Sequence, residues 1–231
     1  MILDAFRRVE LLDPSEYTVA GEQRSFDPDI ANRVTQMCEQ NRFAVVLDAY
    51  TDEDFGALTA GVHDNWGAAE AVGRIVQGRG DYRSAKHEER TVGINKELEG
   101  EMFRVLTGTL GALHAAARTS RIINPAPTDN VHRLSTNKTG PGFVSKLHQD
   151  PFSSLVIPIE GDSSVTMGRL DNPWLPITHI ARFDFPPNSA LIMPFRWRAR
   201  QRRQPVHHQI TNTTPNTSES RGIRTSLVAF Y

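Results

Sequence analysis

Residues 153–168 read SSLVIPIEGDSSVTMG, two short apolar segments joined by a Glu-Gly-Asp turn. Segments of this length, rich in β-branched residues and bounded by turn residues, are typical of β-strands. The same pattern recurs throughout residues 126–231, interrupted by Gly, Pro and Asn. It predicts strands at Val131–Asn137, Ser153–Ile159, Ser163–Gly168, Ile177–Phe185, Ser189–Phe195, Pro205–Thr211 and Gly222–Phe230. Regular spacing of this kind indicates a barrel or a sandwich.

The residues before 126 have a mainly helical pattern. Asp27-Pro28 is a helix-start signal, and the apolar residues that follow at helical spacing predict a helix over residues 28–40. Phe43–Leu47 is a short apolar run typical of a buried strand. A capping Thr51 followed by three acids predicts a second helix, and the amphipathic run Leu98–Ala117 predicts a third.

Between these helices, Gly78–Asn95 is polar and charged and has no clear period. This pattern predicts a mobile loop or lid, with His87-Glu88-Glu89 as solvated surface. Taken together, the patterns predict one α+β domain over residues 1–231. Residues 1–125 would be mainly helical support, and residues 126–231 would form the main part of the β core.

The composition is that of an ordinary soluble protein. The 231 residues are 39% hydrophobic and 23% charged, and no apolar run is long enough for a membrane helix. Met1–Pro14 carries acids and lacks the apolar core of a secretory signal, so we expect a cytoplasmic location. Cys38 is the single cysteine, which excludes an intramolecular disulfide and a cysteine-rich zinc site.

Charge favours a small-molecule partner. A net charge of −1 gives no overall field that would gather nucleic acid. The five arginines within residues 196–203 favour a solvated hairpin over a site for an anionic substrate. We therefore expect a small-molecule substrate, with no nucleic-acid or membrane partner, and no pattern predicts the oligomeric state.

Three histidine and acid positions stand out in the last third of the chain: His148, Asp150 and His208. On a strand, residues two apart point to the same side, so His148 and Asp150 could reach one ion while Gln149 faces away. Two imidazoles and one carboxylate on one face of a metal leave the other positions open, as in non-haem Fe(II) oxygenases. The His-x-Glu at His87–Glu89 is a weaker rival, because it lies in a charged, loop-like stretch.

These motifs resemble those of the Fe(II)/2-oxoglutarate-dependent dioxygenase superfamily. His208–Asn212 is similar to the family's His-x-hydrophobic segment, and Arg224–Leu227 is similar to its Arg-x-Ser segment. Pro141–Asp150 resembles the glycine-then-His-x-Asp approach of prolyl-hydroxylase-like members, and Phe43–Leu58 resembles their N-terminal support. The resemblance extends over residues 40–230 and implies a double-stranded β-helix, that is, a jelly-roll or cupin-like core.

The same resemblance implies a ligand set. His148, Asp150 and His208 would hold Fe(II), with 2-oxoglutarate and O₂ as cosubstrates. Arg224 and Ser226, which share a side of their strand, would bind the distal carboxylate of 2-oxoglutarate, because arginine keeps its charge and offers a planar fork. The plain alternative for Arg224 is a structural salt bridge.

Two positions are less clear. The further polar partner of 2-oxoglutarate would be Asn137 or Lys138, on the strand before His148. His207 precedes His208, and only one of the two can face the metal from a regular strand. We choose His208, because Ile210 and Asn212 then fall where the family pattern places them.

The implied reaction hydroxylates an unactivated C–H bond of a free amino acid or a biosynthetic intermediate and releases succinate and CO₂. Retention of Asp150 favours an oxygenase over the related halogenases, in which that carboxylate is replaced by a small residue. Desaturation and cyclisation remain open as outcomes. Hydroxylation of a peptidyl residue and a non-catalytic cupin-like binding module are the alternatives.

Overall fold

The computed structural model describes residues 9–21, 25–71, 76–77, 87–92, 100–117, 133–150, 152–170, 174, 176–194, 206–218 and 221–231. Three helices lie in this part of the chain: α1 (Pro28–Asn41), α2 (Asp52–Ala71) and α3 (Glu101–Ala117). The strands are β1 (Thr18–Ala20), β2 (Ala44–Leu47), β3 (Val76–Gln77), β4 (His87–Val92), β5 (Arg133–Thr139), β6 (Ser154–Glu160), β7 (Ser163–Arg169), β8 (Thr178–Asp184), β9 (Ala190–Met193), β10 (His207–Asn212) and β11 (Arg224–Phe230).

The helices begin where their caps predict. The Asp27 carboxylate accepts a hydrogen bond from the backbone N–H of Ile30 at 2.8 Å, and Pro28 takes the first helical position of α1. The helix ends at Arg42, whose φ of 74° is left-handed. The Thr51 hydroxyl accepts from the backbone N–H of Asp54 at 3.2 Å, one turn into α2. The predicted helices and the predicted strand before α2 are therefore confirmed.

The strands form two sheets. The larger sheet has the order β1-β2-β9-β6-β11-β5-β4-β3, and the smaller has the order β10-β7-β8. All seven strands predicted between residues 126 and 231 are present, with ends within two residues of the predicted ones. The first part of the chain supplies four strands of the larger sheet besides the helices. The fold is therefore mixed α and β, rich in strands, with two sheets.

One prediction was wrong. Within the predicted loop Gly78–Asn95, residues His87–Val92 form strand β4, which pairs in antiparallel register with β5. The polar sequence of β4 lacks the apolar alternation that would predict a strand. The strand forms nevertheless, because backbone pairing with β5 stabilises it independently of that alternation. The arginine-rich stretch at residues 196–203 lies outside the described residues.

The larger sheet has an apolar layer on each face. On one face, Leu155, Ile157 and Leu227 join the inward residues of the three helices in one buried cluster. On the other face, Val156 and Val228 pack with Val165, Met167 and other residues of the smaller sheet. Strand alternation sends neighbouring residues of β6 and β11 into the two layers in turn. No helix within the described ranges is both long and apolar enough to cross a membrane.

Candidate functional site

A backbone pair brings two histidines together. The N–H of His148 donates to the carbonyl of His208 at 3.0 Å, and the N–H of His208 donates back to the carbonyl of His148 at 2.7 Å. Residues that exchange both hydrogen bonds in this way stand directly opposite each other, with their side chains on the same side. The two imidazole centroids are accordingly 4.3 Å apart.

Asp150 completes a compact cluster with these rings. Its Oδ1 lies 3.9 Å from Nε2 of His148, and its Oδ2 lies 4.0 Å from Nε2 of His208. One potential ligand atom from each of the three residues falls within 4.8 Å of the others. Two imidazoles and a carboxylate at this spacing fit a transition metal such as Fe(II). The structure thus brings together the three residues that the sequence singled out.

A backbone contact favours one tautomer of His148, and burial lowers the pKa of His208. Nδ1 of His148 lies 2.7 Å from the carbonyl oxygen of Lys146, a contact that a protonated Nδ1 satisfies by donating. Its Nε2 then carries the free lone pair that a metal requires. Burial lowers the pKa of His208 to about 4, although Asp150 acts in the opposite direction. The Lys146 carbonyl thus favours the tautomer of His148 whose Nε2 is free, and burial favours the neutral form of His208.

The cluster lines one end of a cavity of about 260 Å³ between the two sheets. Arg224 lines the same cavity and is only 2% exposed. Its Nη1 donates to the Ser226 hydroxyl at 3.1 Å, while its Nε and Nη2 are buried and have no hydrogen-bond partner among the described residues. Burial lowers the pKa of Arg224 to about 10, so the guanidinium is still charged at neutral pH.

The buried charge of Arg224 destabilises the folded protein unless an anion offsets it. Burying an unpaired charge is expensive, and a buried cation without a carboxylate destabilises the fold. No ion pair of Arg224 lies within the part of the chain that the structure describes. An anion entering the cavity would satisfy Nε and Nη2 together, as a carboxylate does in bidentate contact. The cavity lining therefore contains both a group of three residues that could hold a metal ion and a buried guanidinium that could pair with an anion.

Polar groups on β5 face the arginine across the sheet. Ser226 lies opposite Asn137 and Arg224 lies opposite Thr139 in the antiparallel register. Oδ1 of Asn137 and Oγ1 of Thr139 are buried without a hydrogen-bond partner in the described structure, and both residues line the cavity. Asn137 thus lies in the cavity lining beside Ser226. Lys138 does not line the cavity, because it has the opposite strand parity.

The long connection between β10 and β11 is fastened by Asn212. Its side-chain amide donates to the carbonyls of Thr139, Gly140 and Gly222 at 2.8–3.0 Å, and its Oδ1 accepts from the N–H of Thr214. Asn212 is only 3% exposed. The three hydrogen bonds that the amide donates connect the end of β10 to the end of β5 and to Gly222, so that β11 starts at Arg224 beside β5.

Two predictions about side-chain direction have different outcomes. His208 lines the cavity and His207 does not, as strand parity predicts. Gln149, however, was expected to face away, and it is exposed at the cavity lining instead. The reason is that the chain leaves its ladder with β10 after His148, so the alternation of a regular strand no longer holds at Gln149 and Asp150.

Two polar residues at the site, Thr139 and Ser154, are not among the residues predicted from the sequence. Thr139 could have been found from strand parity, since it lies two residues after Asn137 on the same side of β5. The hydroxyl of Ser154 donates to Oδ2 of Asp150 at 2.6 Å. No spacing rule predicts this contact, because Asp150 lies outside a regular strand.

Comparison with known proteins supports the fold. The sequence matches no protein-family model and no curated protein. A prolyl-4-hydroxylase from Pseudomonas putida has a similar structure, with a TM-score of 0.55 and 11% identity over 87% of this chain and 97% of that chain. A prolyl hydroxylase from Trichoplax adhaerens, solved in complex with a peptide fragment, gives a TM-score of 0.55 and 11% identity over 88% and 89%. The dioxygenase for auxin oxidation from rice gives 0.54 and 13% over 93% and 82%.

This chain has the fold of the Fe(II)/2-oxoglutarate oxygenases. The resemblance seen in the sequence motifs is thereby confirmed at the level of the fold. At 11–13% identity the likeness establishes the fold alone. The chemistry of this oxygenase-like fold has to be argued from its own side chains.

Proposed function

We propose that this protein is an Fe(II)- and 2-oxoglutarate-dependent oxygenase. The observation that carries the proposal is a buried arginine without an anion in the same cavity as a His-Asp-His cluster. A metal site alone would be compatible with many functions. A metal site together with a buried carboxylate receptor is what a chelating dicarboxylate such as 2-oxoglutarate requires.

In this proposal His148, Asp150 and His208 hold the iron. Neutral imidazoles and an ionised carboxylate are suitable ligands for Fe(II), and three protein ligands leave positions for a cosubstrate and O₂. Bound Fe(II) would supply the redox chemistry by which O₂ and 2-oxoglutarate are consumed, succinate and CO₂ are released, and one oxygen atom enters a C–H bond.

Arg224 and Ser226 would bind the distal carboxylate of 2-oxoglutarate. The free Nε and Nη2 of Arg224 can donate two parallel hydrogen bonds to one carboxylate, in a buried position where charge-assisted bonds are strong. Ser226 accepts from Nη1 and so fixes the plane of the guanidinium. Asn137, opposite Ser226, would add a further polar contact to the cosubstrate.

The finer fold assignment belongs to the same proposal. We propose that the two sheets form the halves of a double-stranded β-helix, with the isolated bridges at Val144 and His148 adding to the edge of the smaller sheet beside β10. In such a jelly roll the site lies between the sheets, where strands from both can supply ligands. The cavity here has side chains from β5, β10 and β11 in its lining.

We propose a small molecule as the substrate and hydroxylation as the outcome. The cavity of about 260 Å³ has roughly the size of a small-molecule site. Phe152 and Gln149 lie at the lining and are solvent-accessible, which makes them the described residues best placed to contact a substrate. A free amino acid or a biosynthetic intermediate fits these dimensions.

A peptidyl residue is the second candidate. The Trichoplax adhaerens neighbour was solved with a peptide fragment, and the rice neighbour is described as oxidising auxin, so this fold serves both substrate classes. A non-catalytic binding module is disfavoured, because a binding protein has no need to keep both a metal cluster and an unpaired buried arginine.

The deciding experiment is anaerobic. Fe(II) and 2-oxoglutarate are added to the protein without oxygen, and the visible charge-transfer band of the chelate is recorded. A band that saturates with 2-oxoglutarate is the expected result. Asp150→Ala should abolish the band while the circular dichroism spectrum stays native. If the wild-type protein gives no band, the proposed function is wrong.

A second experiment identifies the substrate class. Succinate release is measured with free amino acids, with biosynthetic intermediates and with short peptides, each in the presence of Fe(II), 2-oxoglutarate and O₂. Stimulation by a free small molecule supports the first candidate. Stimulation by peptides alone would favour the second.

A further inference from the structure

Asp150 is held by a side chain four residues further along the chain. The hydroxyl of Ser154 donates to Oδ2 of Asp150 at 2.6 Å, a length typical of a charge-assisted O–H···O⁻ bond. Ser154 is the first residue of β6 and is completely buried. Its main chain pairs with Phe230 on β11 and with Met193 on β9, so the hydroxyl is presented from the centre of the larger sheet.

The carboxylate needs such a support. The two histidines are fixed by their mutual backbone pair, whereas Asp150 lies after the point where this ladder ends. Among the described residues, the Ser154 hydroxyl donates to Asp150, and the two imidazoles lie within 4.0 Å of the carboxylate. A hydrogen bond to Oδ2 restricts rotation of the carboxylate and leaves Oδ1 the less engaged oxygen.

We propose that Ser154 is a positioning residue for the metal site: it fixes Oδ2 of Asp150 and so presents Oδ1 as the ligating oxygen. The inference rests on the proposed function, since it assumes that Asp150 binds a metal. Partners that hydrogen-bond to a ligand orient it, and their loss lowers metal affinity by about 10- to 100-fold. Ser154 thereby does for the carboxylate what the Lys146 carbonyl does for the imidazole of His148.

The test measures binding of Co(II) alone, by calorimetry and by the visible absorption of the bound ion, so that turnover is not needed. Ser154→Ala should weaken Co(II) binding by about 10- to 100-fold and alter the absorption spectrum. Ser154→Thr keeps a hydroxyl and should recover most of the affinity. If Ser154→Ala does not fold, Ser154→Cys offers a similar size with a weaker donor and should show the same direction of change.

Ser163 provides the matched control. It is also a buried strand serine, 2% exposed, but its hydroxyl donates to the carbonyl of Phe185 at 2.9 Å and not to a residue of the His-Asp-His cluster. Ser163→Ala should lose a comparable hydrogen bond without any change in Co(II) affinity. Equal weakening of Co(II) binding in both variants would mean a general structural effect and would overturn the proposal.

A double-mutant cycle separates the remaining outcomes. In an Asp150→Ala background, Ser154→Ala should have no further effect on Co(II) binding, because its partner is absent. An undiminished effect in that background would overturn the positioning role. If Ser154→Ala binds Co(II) as tightly as the wild type, the positioning role is also overturned, and the proposed function remains intact. A wild-type protein that binds no Co(II) would instead overturn the proposed function, and this inference with it.

Discussion

The two faces of strand β11 differ in what they bury. On the helical face, Leu227 and Ala229 are almost fully covered by other apolar residues. On the cavity face, two residues of the same strand, Arg224 and Ser226, are equally buried, yet Nε and Nη2 of the arginine have no partner in the described structure. The helical face is packed by apolar residues, whereas the cavity face would be completed by the carboxylate that we propose to bind Arg224.

Stability and ligand binding therefore depend on opposite faces of strand β11. Apolar burial stabilises the fold by about 25 cal/mol per Å², whereas a buried unpaired charge opposes folding. Strand alternation allows one short segment to do both, because neighbouring residues never share a face. Substitutions on the helical face should therefore change unfolding, and substitutions on the cavity face should change ligand binding.

The largest effect is expected at the adjacent residues His207 and His208 of β10, of which His208 alone lines the cavity. His208→Ala should abolish the anaerobic chelate band completely, because it removes one of three proposed metal ligands. His207→Ala is the matched control, since its side chain does not line the cavity, and it should keep the band. Loss of the band in His207→Ala, with retention in His208→Ala, would reverse the assignment of the doublet.

Leu227→Ala should cause the largest loss of stability. Removing a buried leucine side chain destabilises a core by about 2–5 kcal/mol, and Leu227 is 2% exposed within the helical cluster. Urea unfolding measures the change. The affinity of the remaining folded protein for 2-oxoglutarate should be unaffected; a selective loss of that affinity would contradict the separation of the two faces.

Arg224→Met should weaken ligand binding without destabilising the fold, the opposite of the result expected for Leu227→Ala. It should weaken 2-oxoglutarate binding by about 2–3 kcal/mol, because a buried charge partner of the carboxylate is removed. Without ligand, the variant should unfold at the same or a higher Tm than the wild type, because an uncompensated charge leaves the interior. Calorimetric titration and thermal melting measure the two effects. A large fall in Tm without ligand would indicate a folding role for Arg224.

Ser226→Ala should give the smallest of these effects. It removes one neutral hydroxyl that accepts from Arg224 at 3.1 Å, and a hydrogen bond of this kind contributes about 1 kcal/mol. We expect roughly a fivefold weaker affinity for 2-oxoglutarate, which is that energy expressed as a ratio. The anaerobic titration measures it, and Fe(II) affinity should not change. An effect as large as that of Arg224→Met would mean that Ser226 itself contacts the reacting groups.

Local patterns predicted the three helices, strand β2 and the seven strands after residue 126, but not β1, β3 or β4. The Asp27-Pro28 start, the amphipathic run before residue 117 and the β-branched segments after residue 126 gave helices and strands with nearly the observed ends. Local patterns failed at β4, whose polar residues are held by pairing with β5, some forty residues further along the chain. The residues of β4 carry no apolar alternation of their own, so their pairing with β5 could not be read from the local sequence.

For the site, the sequence by itself determined the chemical types and the order of the groups: two imidazoles, a carboxylate, an arginine and a serine, with strand parity choosing His208 over His207. The tertiary structure decided which distant groups meet. It set His148 opposite His208, placed Thr139 opposite Arg224, turned Gln149 towards the cavity and brought the Ser154 hydroxyl to Asp150. The physical reason is that side-chain direction follows from each residue's own strand, whereas distances between strands depend on register, which the whole sheet fixes together.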